Sequence, residues 1–79
     1  MENHFNTSVF SHITQVIIPS SITIIKEKTF YEYDILEEIL LPETLITIED
    51  YSFYGCSSLK KIQLPSSLKT LGKHVFSKC

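Results

Sequence analysis

The sequence predicts a short solenoid: about three stacked 23-residue coils, with a parallel β-sheet on one face and turns or short helices on the other. Three observations carry this. The chain can be written in register as ITQVIIPSSITIIKEKTFYEYDI from Ile13, LEEILLPETLITIEDYSFYGCSS from Leu36 and LKKIQLPSSLKTLGKHVFSKC from Leu59. Two columns hold one residue throughout, Pro19/Pro42/Pro65 and Phe30/Phe53/Phe76. Aliphatic residues fill five more: Ile13/Leu36/Leu59, Val16/Ile39/Ile62, Ile18/Leu41/Leu64, Ile22/Leu45/Leu68 and Ile25/Ile48/Leu71. Self-similarity at a fixed short period marks units that stack, because one unit cannot bury its own apolar edge.

The organisation follows from this register. Residues 1–12 contain Phe5, Val9 and Phe10, with Phe10 in phase with Tyr33 and Thr7 in the phase of the repeated Phe. They read as a degenerate N-terminal half repeat or cap. Three repeats follow, 13–35, 36–58 and 59–79.

Each repeat opens on a segment of type L-x-x-I-x-L-P, whose alternation of apolar and variable positions is the period of a strand with one buried face. The proline lacks an amide donor and restricts the residue before it to extended geometry, so it closes the strand. Ser20-Ser21, Glu43-Thr44 and Ser66-Ser67 then supply a turn, and a second short extended run begins at Ile22 and its equivalents. From Lys26 to Tyr33 the apolar residues lie at helical spacing, with room for one or two turns of α- or 3₁₀-helix that place Phe30 in the core. Stacking aligns equivalent strands in parallel about 4.8 Å apart. The phenylalanines and each aliphatic column are then expected to form internal ladders.

Composition narrows the functional classes. The chain has 79 residues, a net charge of −2 and 20% charged residues, without a basic cluster. It lacks the electrostatic footprint of a nucleic-acid binder, so no nucleic-acid partner is expected. Residues 1–10 lack the basic start and apolar stretch of a secretory leader, and no run reaches the roughly 20 apolar residues of a membrane span. The sequence as written is therefore expected to carry neither, and it leaves the compartment open. Asn6-Thr7-Ser8 matches the N-glycosylation pattern, which has meaning only in a secreted chain.

The repeated residues resemble the BspA-type leucine-rich repeat, L-x-x-I-x-L-P-x-S-L-x-x-I-G-x-x-A-F-x-x-C-x-x. The third copy fits almost throughout, and the resemblance spans Ile13 to Cys79. Lys26 and Glu49 stand where Gly72 fits the pattern, and Tyr33 stands where Cys56 and Cys79 fit it. The resemblance implies a leucine-rich-repeat solenoid that serves as a non-enzymatic protein-interaction module. It further implies an adhesive, cell-surface role, because family members occur in surface-antigen proteins of bacteria and protists.

Outward-facing strand positions are where such a solenoid would meet a protein partner. The columns Gln15/Glu38/Lys61 and Ile17/Leu40/Gln63, flanked by Thr14/Glu37/Lys60, single out Ile17, Glu37, Glu38, Leu40, Lys60, Lys61 and Gln63 as contact candidates. Glu37 and Glu38 fall opposite Lys60 and Lys61, which reads either as a solvated cross-strand pairing that fixes register or as the polar rim of a contact surface. Two adjacent outward aliphatics, Ile17 and Leu40, read as a surface covered by a partner. Tyr31, Tyr51 and Tyr54 lie outside the core columns and are either ordinary surface tyrosines or contact residues.

Cys56 and Cys79 share a column, so their Cα atoms fall about 5 Å apart, within disulfide range. The other reading is a ladder of small thiols continuing from Tyr33. His4, His12 and His74 form no zinc-type pair with the cysteines. Two glycines, Gly55 and Gly72, make no phosphate loop. No catalytic residue, metal or cofactor is expected. The C-terminal coil, with Phe76 in it and no cap after Cys79, is expected to leave an open edge through which the chain self-associates. A different class of reading is a truncated fragment or intracellular structural scaffold with no ligand of its own.

Overall fold

The computed structural model describes residues 12–79. Five short strands follow one another: β1 (Gln15–Ile17), β2 (Ile24–Ile25), β3 (Glu38–Leu40), β4 (Thr47–Ile48) and β5 (Thr70–Leu71). They form two parallel sheets rather than one, β1-β3 and β2-β4-β5. In the first, Gln15, Val16 and Ile17 pair with Glu38, Ile39 and Leu40, and an isolated bridge from Glu38 to Lys61 continues the ladder. In the second, Ile25 pairs with Ile48 and Ile48 with Leu71. Every pair is offset by 23 residues, so the sequence period is the spatial register.

The prolines divide the two sheets. After each, an i to i+3 bond closes a turn, from the amides of Ile22, Leu45 and Leu68 to the carbonyls of Pro19, Pro42 and Pro65, at 3.1, 3.2 and 3.1 Å. The turn redirects the chain, and each extended run pairs in parallel with its equivalent 23 residues away and not with the run before it, so the two sets of runs build separate sheets. The single-sheet expectation is corrected accordingly.

No helix occurs among the described residues. Residues 26–33 form consecutive i to i+3 turns, with the amides of Thr29, Tyr31 and Tyr33 bonded to the carbonyls of Lys26, Lys28 and Phe30. The backbone leaves right-handed space at Lys28 (φ 60) and Glu32 (φ 56), which ends any helical run before a second turn. The same happens 23 and 46 residues on, at Tyr51 and His74, and at Gly55 and Lys78. Two left-handed columns thus replace the expected helical turns.

These turns free backbone groups to bond between units. The amides of Lys28, Phe30 and Glu32 donate to the carbonyls of Asp50, Ser52 and Tyr54. One period later, those of Tyr51, Phe53 and Gly55 donate to Lys73, Val75 and Ser77. Buried backbone polar groups demand such partners. Ser52, wholly buried, donates its hydroxyl toward the carbonyls of Lys26 and Glu49.

The core lies between the sheets and the turn columns. Leu36, Leu45, Ile48, Phe53 and Cys56 are fully buried, with Phe30 and Ile39 nearly so. Phe30 stacks on Phe53 at 5.3 Å and Phe53 on Phe76 at 5.7 Å, with planes within 8° and 10° of parallel. The aliphatic columns are not buried from end to end: Ile13, Leu64 and Leu71 are 41%, 43% and 47% exposed. Each stands at the first or last turn of its column, flanked by described residues on one side only. Column membership fixes the direction of a side chain, and burial needs neighbours on both sides.

Candidate protein-contact face

The first sheet sets the candidate face. The pleat sends Ile39 inward and Leu40 outward. Ile17 is 73% exposed and Leu40 is 52% exposed, side by side through the β1-β3 register. Such a paired aliphatic patch on an open sheet differs from the scattered apolar residues of an ordinary surface.

The charges sit beside it. Lys60 Nζ lies 3.5 Å from Glu37 Oε1, both side chains largely in water, so the pair contributes little on its own. Glu38 meets Lys61 through the backbone bridge. A concavity of about 310 Å³ is lined by Glu38, Leu40, Glu43, Lys61, Gln63 and Leu64 among others. A neighbouring one of about 290 Å³ is lined by Gln15, Glu37, Glu38, Lys60 and Lys61. All seven candidates from the sequence therefore lie together: Ile17 by strand pairing, the other six along these two hollows. Sequence reasoning missed Glu43, which lines the larger hollow from just after Pro42, and Leu64, which lines it from just before Pro65. Glu43 is held there by the Ser66 hydroxyl at 3.2 Å.

On the turn side the tyrosines form a cluster. Tyr31 stacks on Tyr54 at 5.1 Å, and Tyr51 meets Tyr54 edge-on at 5.5 Å and stacks on His74 at 5.3 Å. Lys28 Nζ stands 5.2 Å from the Tyr31 ring centre, within cation–π range. These residues do occupy repeating columns, 31/54 and 28/51/74. The signal was the 23-residue spacing of Tyr31 to Tyr54 and of Tyr51 to His74.

Both cysteines are free thiols. Cys56 Sγ donates to the Phe30 carbonyl and Cys79 Sγ to the Phe53 carbonyl, each at 3.2 Å. Each thiol thus reaches back to the preceding unit. Burial, with the neighbouring Cys79 as a lesser cause, pushes the Cys56 thiol up to about 12, which leaves it neutral and unreactive at ordinary pH. Burial also raises Cys79 and the Tyr33 phenol, whose hydroxyl donates to the Ile13 carbonyl.

Among the described residues no group of three His, Cys, Asp or Glu side chains is placed to hold a metal ion. No helix among them is long and apolar enough to cross a membrane. His4, the glycosylation pattern at Asn6 and residues 1–11 of the cap expected over residues 1–12 lie outside the described residues.

The whole arrangement matches a known repeat type. The family model described as "BspA type Leucine rich repeat region (6 copies)" matches residues 2–79. The fold is similar to the crystal structure of a leucine-rich repeat protein from Bacteroides ovatus, with 37% sequence identity and a TM-score of 0.80. That likeness covers 85% of this chain and 18% of the Bacteroides chain, so the sequence spans a small part of its solved relative. No curated protein matches the chain. A parallel ladder at a 23-residue offset, a proline closing each first-sheet segment, a stacked phenylalanine column and the family match over nearly every residue agree: the chain belongs to the BspA-type leucine-rich repeat family.

Proposed function

We propose that the chain is a non-enzymatic protein-interaction module, a leucine-rich-repeat solenoid of three coils at 13–35, 36–58 and 59–79, that is surface-associated and adhesive. The contact is made by Ile17 and Leu40, with Glu37, Glu38, Lys60, Lys61 and Gln63 as its polar surround. The observation that carries the reading is the exposed Ile17–Leu40 pair on an open parallel sheet. Burying two such side chains under a partner favours binding by about 1.5–3 kcal/mol each, enough to anchor a contact whose charged rim chooses among partners.

Binding of the chain to a panel of purified extracellular-matrix proteins tests this, comparing the native sequence with an Ile17→Lys/Leu40→Lys variant. Saturable binding to a panel member, weakened about tenfold or more in a variant with unchanged unfolding, is the expected result. Binding that ignores the double substitution, or a chain that binds no panel member, counts against it.

A second reading has its own support. The chain spans 18% of the length of its solved relative, as a structural segment of a longer array would. On that reading it is a scaffold piece with no ligand of its own, and a chain that binds nothing in the panel is its expected behaviour.

A further inference from the structure

The turn side carries columns that the sheet face does not use. One runs Lys28, Tyr51, His74, another Tyr31, Tyr54, Ser77, a third Glu32, Gly55, Lys78, and Asp34 and Ser57 form a fourth. Rings fill the middle of this surface: Tyr31 and Tyr54 stack with planes 11° from parallel, and Tyr51 meets both edge-on. Lys28 stands over Tyr31, so the stack already engages a cation at its first ring. At Tyr54 the stack stops. Ser77 follows where a third ring would stand, and its hydroxyl lies 3.1 Å from His74 Nδ1.

Beside Tyr54 the surface opens into a hollow of about 440 Å³, lined by Glu32, Asp34, Tyr54, Gly55, Ser57 and Lys78. Gly55 brings no side chain to it, and a Cβ there would sit 3.0 Å from Glu32 Cγ. Glu32 and Asp34 are exposed, and among the described residues neither carboxylate has an ion-pair or hydrogen-bond partner. Two carboxylates and one ammonium leave the lining with one negative charge in excess. The hollow is bounded along the stack by Glu32 and Asp34 of the first unit and by Lys78 of the third. A unit stacked on either end therefore lengthens this face rather than crossing it.

We propose that this hollow takes the arginine side chain of a protein partner. A guanidinium is planar, lies flat on an aromatic ring and offers paired N–H donors that a carboxylate accepts two at a time. Tyr54 supplies the ring, Glu32 and Asp34 the charged acceptors, and Ser57 a further one. Charge complementarity fixes the sign, because one monocation matches the excess carboxylate whereas an anion meets both carboxylates. Lysine fits less well: its compact, strongly hydrated ammonium does not spread over a ring. Lys78 opposes the ligand and, exposed on a flexible stem, turns into water when the site fills. A neutral sugar also stacks on an aromatic ring but leaves the excess charge unmatched. No lining residue is shared with the hollows beside Ile17 and Leu40, so this site stands or fails apart from that face.

The test is an NMR titration of the full chain, followed at its backbone amides, with N-acetyl-arginine amide, its neutral isostere N-acetyl-citrulline amide, N-acetyl-lysine amide and methyl glucoside. The arginine compound is expected to shift the Tyr54, Gly55 and Ser57 amides saturably, with citrulline weaker by about tenfold or more and lysine between the two. Glu32→Gln/Asp34→Asn, altered only at exposed positions, should keep its circular dichroism and lose those shifts. Lys78→Gln should bind the arginine compound more tightly, by about threefold or more, which a site for a sugar or an anion would not do. The proposal is overturned if the arginine compound shifts none of these amides, or if citrulline, lysine or the glucoside binds as well. It is equally overturned if the shifts fall elsewhere, if the carboxylate variant binds equally, or if Lys78→Gln fails to tighten binding.

Discussion

Phe30 and Phe53, one period apart, lie with ring planes 8° from parallel and centroids 5.3 Å apart. Phe53 is the middle ring of three and is wholly buried, so its removal leaves a void that the rings on both sides line. Phe53→Ala should cost about 3–5 kcal/mol. For a chain of this size that is most of the available stability, and far-ultraviolet circular dichroism should report a largely unfolded population. Phe76→Ala, at the partly exposed end of the column, should cost clearly less in urea unfolding.

Cys56 provides a pH dependence. Its folded pKa of about 12 lies above the roughly 8.5 of an unfolded thiol, so the unfolded chain gives up the proton more readily. Stability from this group is complete below about pH 8.5 and is lost as pH rises toward 12, by about 1–2 kcal/mol at pH 10. Urea midpoints between pH 7 and 10 should therefore fall, and Cys56→Ala should flatten the slope. Alkylation at pH 8 should label the exposed Cys79 and spare Cys56 until the chain unfolds.

The two glycines serve different needs. A Cβ on Gly72 would sit 2.6 Å from the Asp50 nitrogen and 2.8 Å from the Glu49 carbonyl carbon, both backbone atoms of the adjoining unit. Gly55 adopts φ +77, and there a Cβ would meet mainly the Glu32 side chain at 3.0 Å. Gly72→Ala should cost about 2–3 kcal/mol through forced separation of backbones, and Gly55→Ala about 1–2 kcal/mol through left-handed strain. Thermal unfolding of the two variants should preserve that order.

The Glu37–Lys60 pair should matter little to folding. With side chains 43% and 74% exposed, its loss in Glu37→Gln or Lys60→Gln should change stability by less than about 0.5 kcal/mol. A larger loss in denaturant titration would mean that the pair fixes register as well as lying on it.

The 23-residue offset, the phenylalanine column and the opposition of Glu37 to Lys60 were readable in the sequence, because all three depend only on spacing once the repeat is aligned. The outward direction of Ile17 and Leu40 followed from strand alternation. The turn columns were not readable in the same way. Lys28, Tyr51 and His74 adopt positive φ without glycine, and Gly55 alone in its column hints at what Glu32 and Lys78 also do. Helical spacing of Thr29, Phe30 and Tyr33 therefore pointed to a helix that left-handed residues prevent. The degree of exposure of Leu64 and Leu71 was not readable from their columns alone, because a column records which way a side chain points and says nothing about what lies beyond it.

Amide hydrogen exchange along one column tests the stacked-repeat account most directly. Phe30, Phe53 and Phe76 stack in one column, but among the described residues only the first two amides donate to a following unit, to Ser52 at 2.8 Å and Val75 at 3.1 Å. The account predicts slow exchange at Phe30 and Phe53 and fast exchange at Phe76 in the same sample. Equal protection at all three, or fast exchange at Phe53, would contradict it.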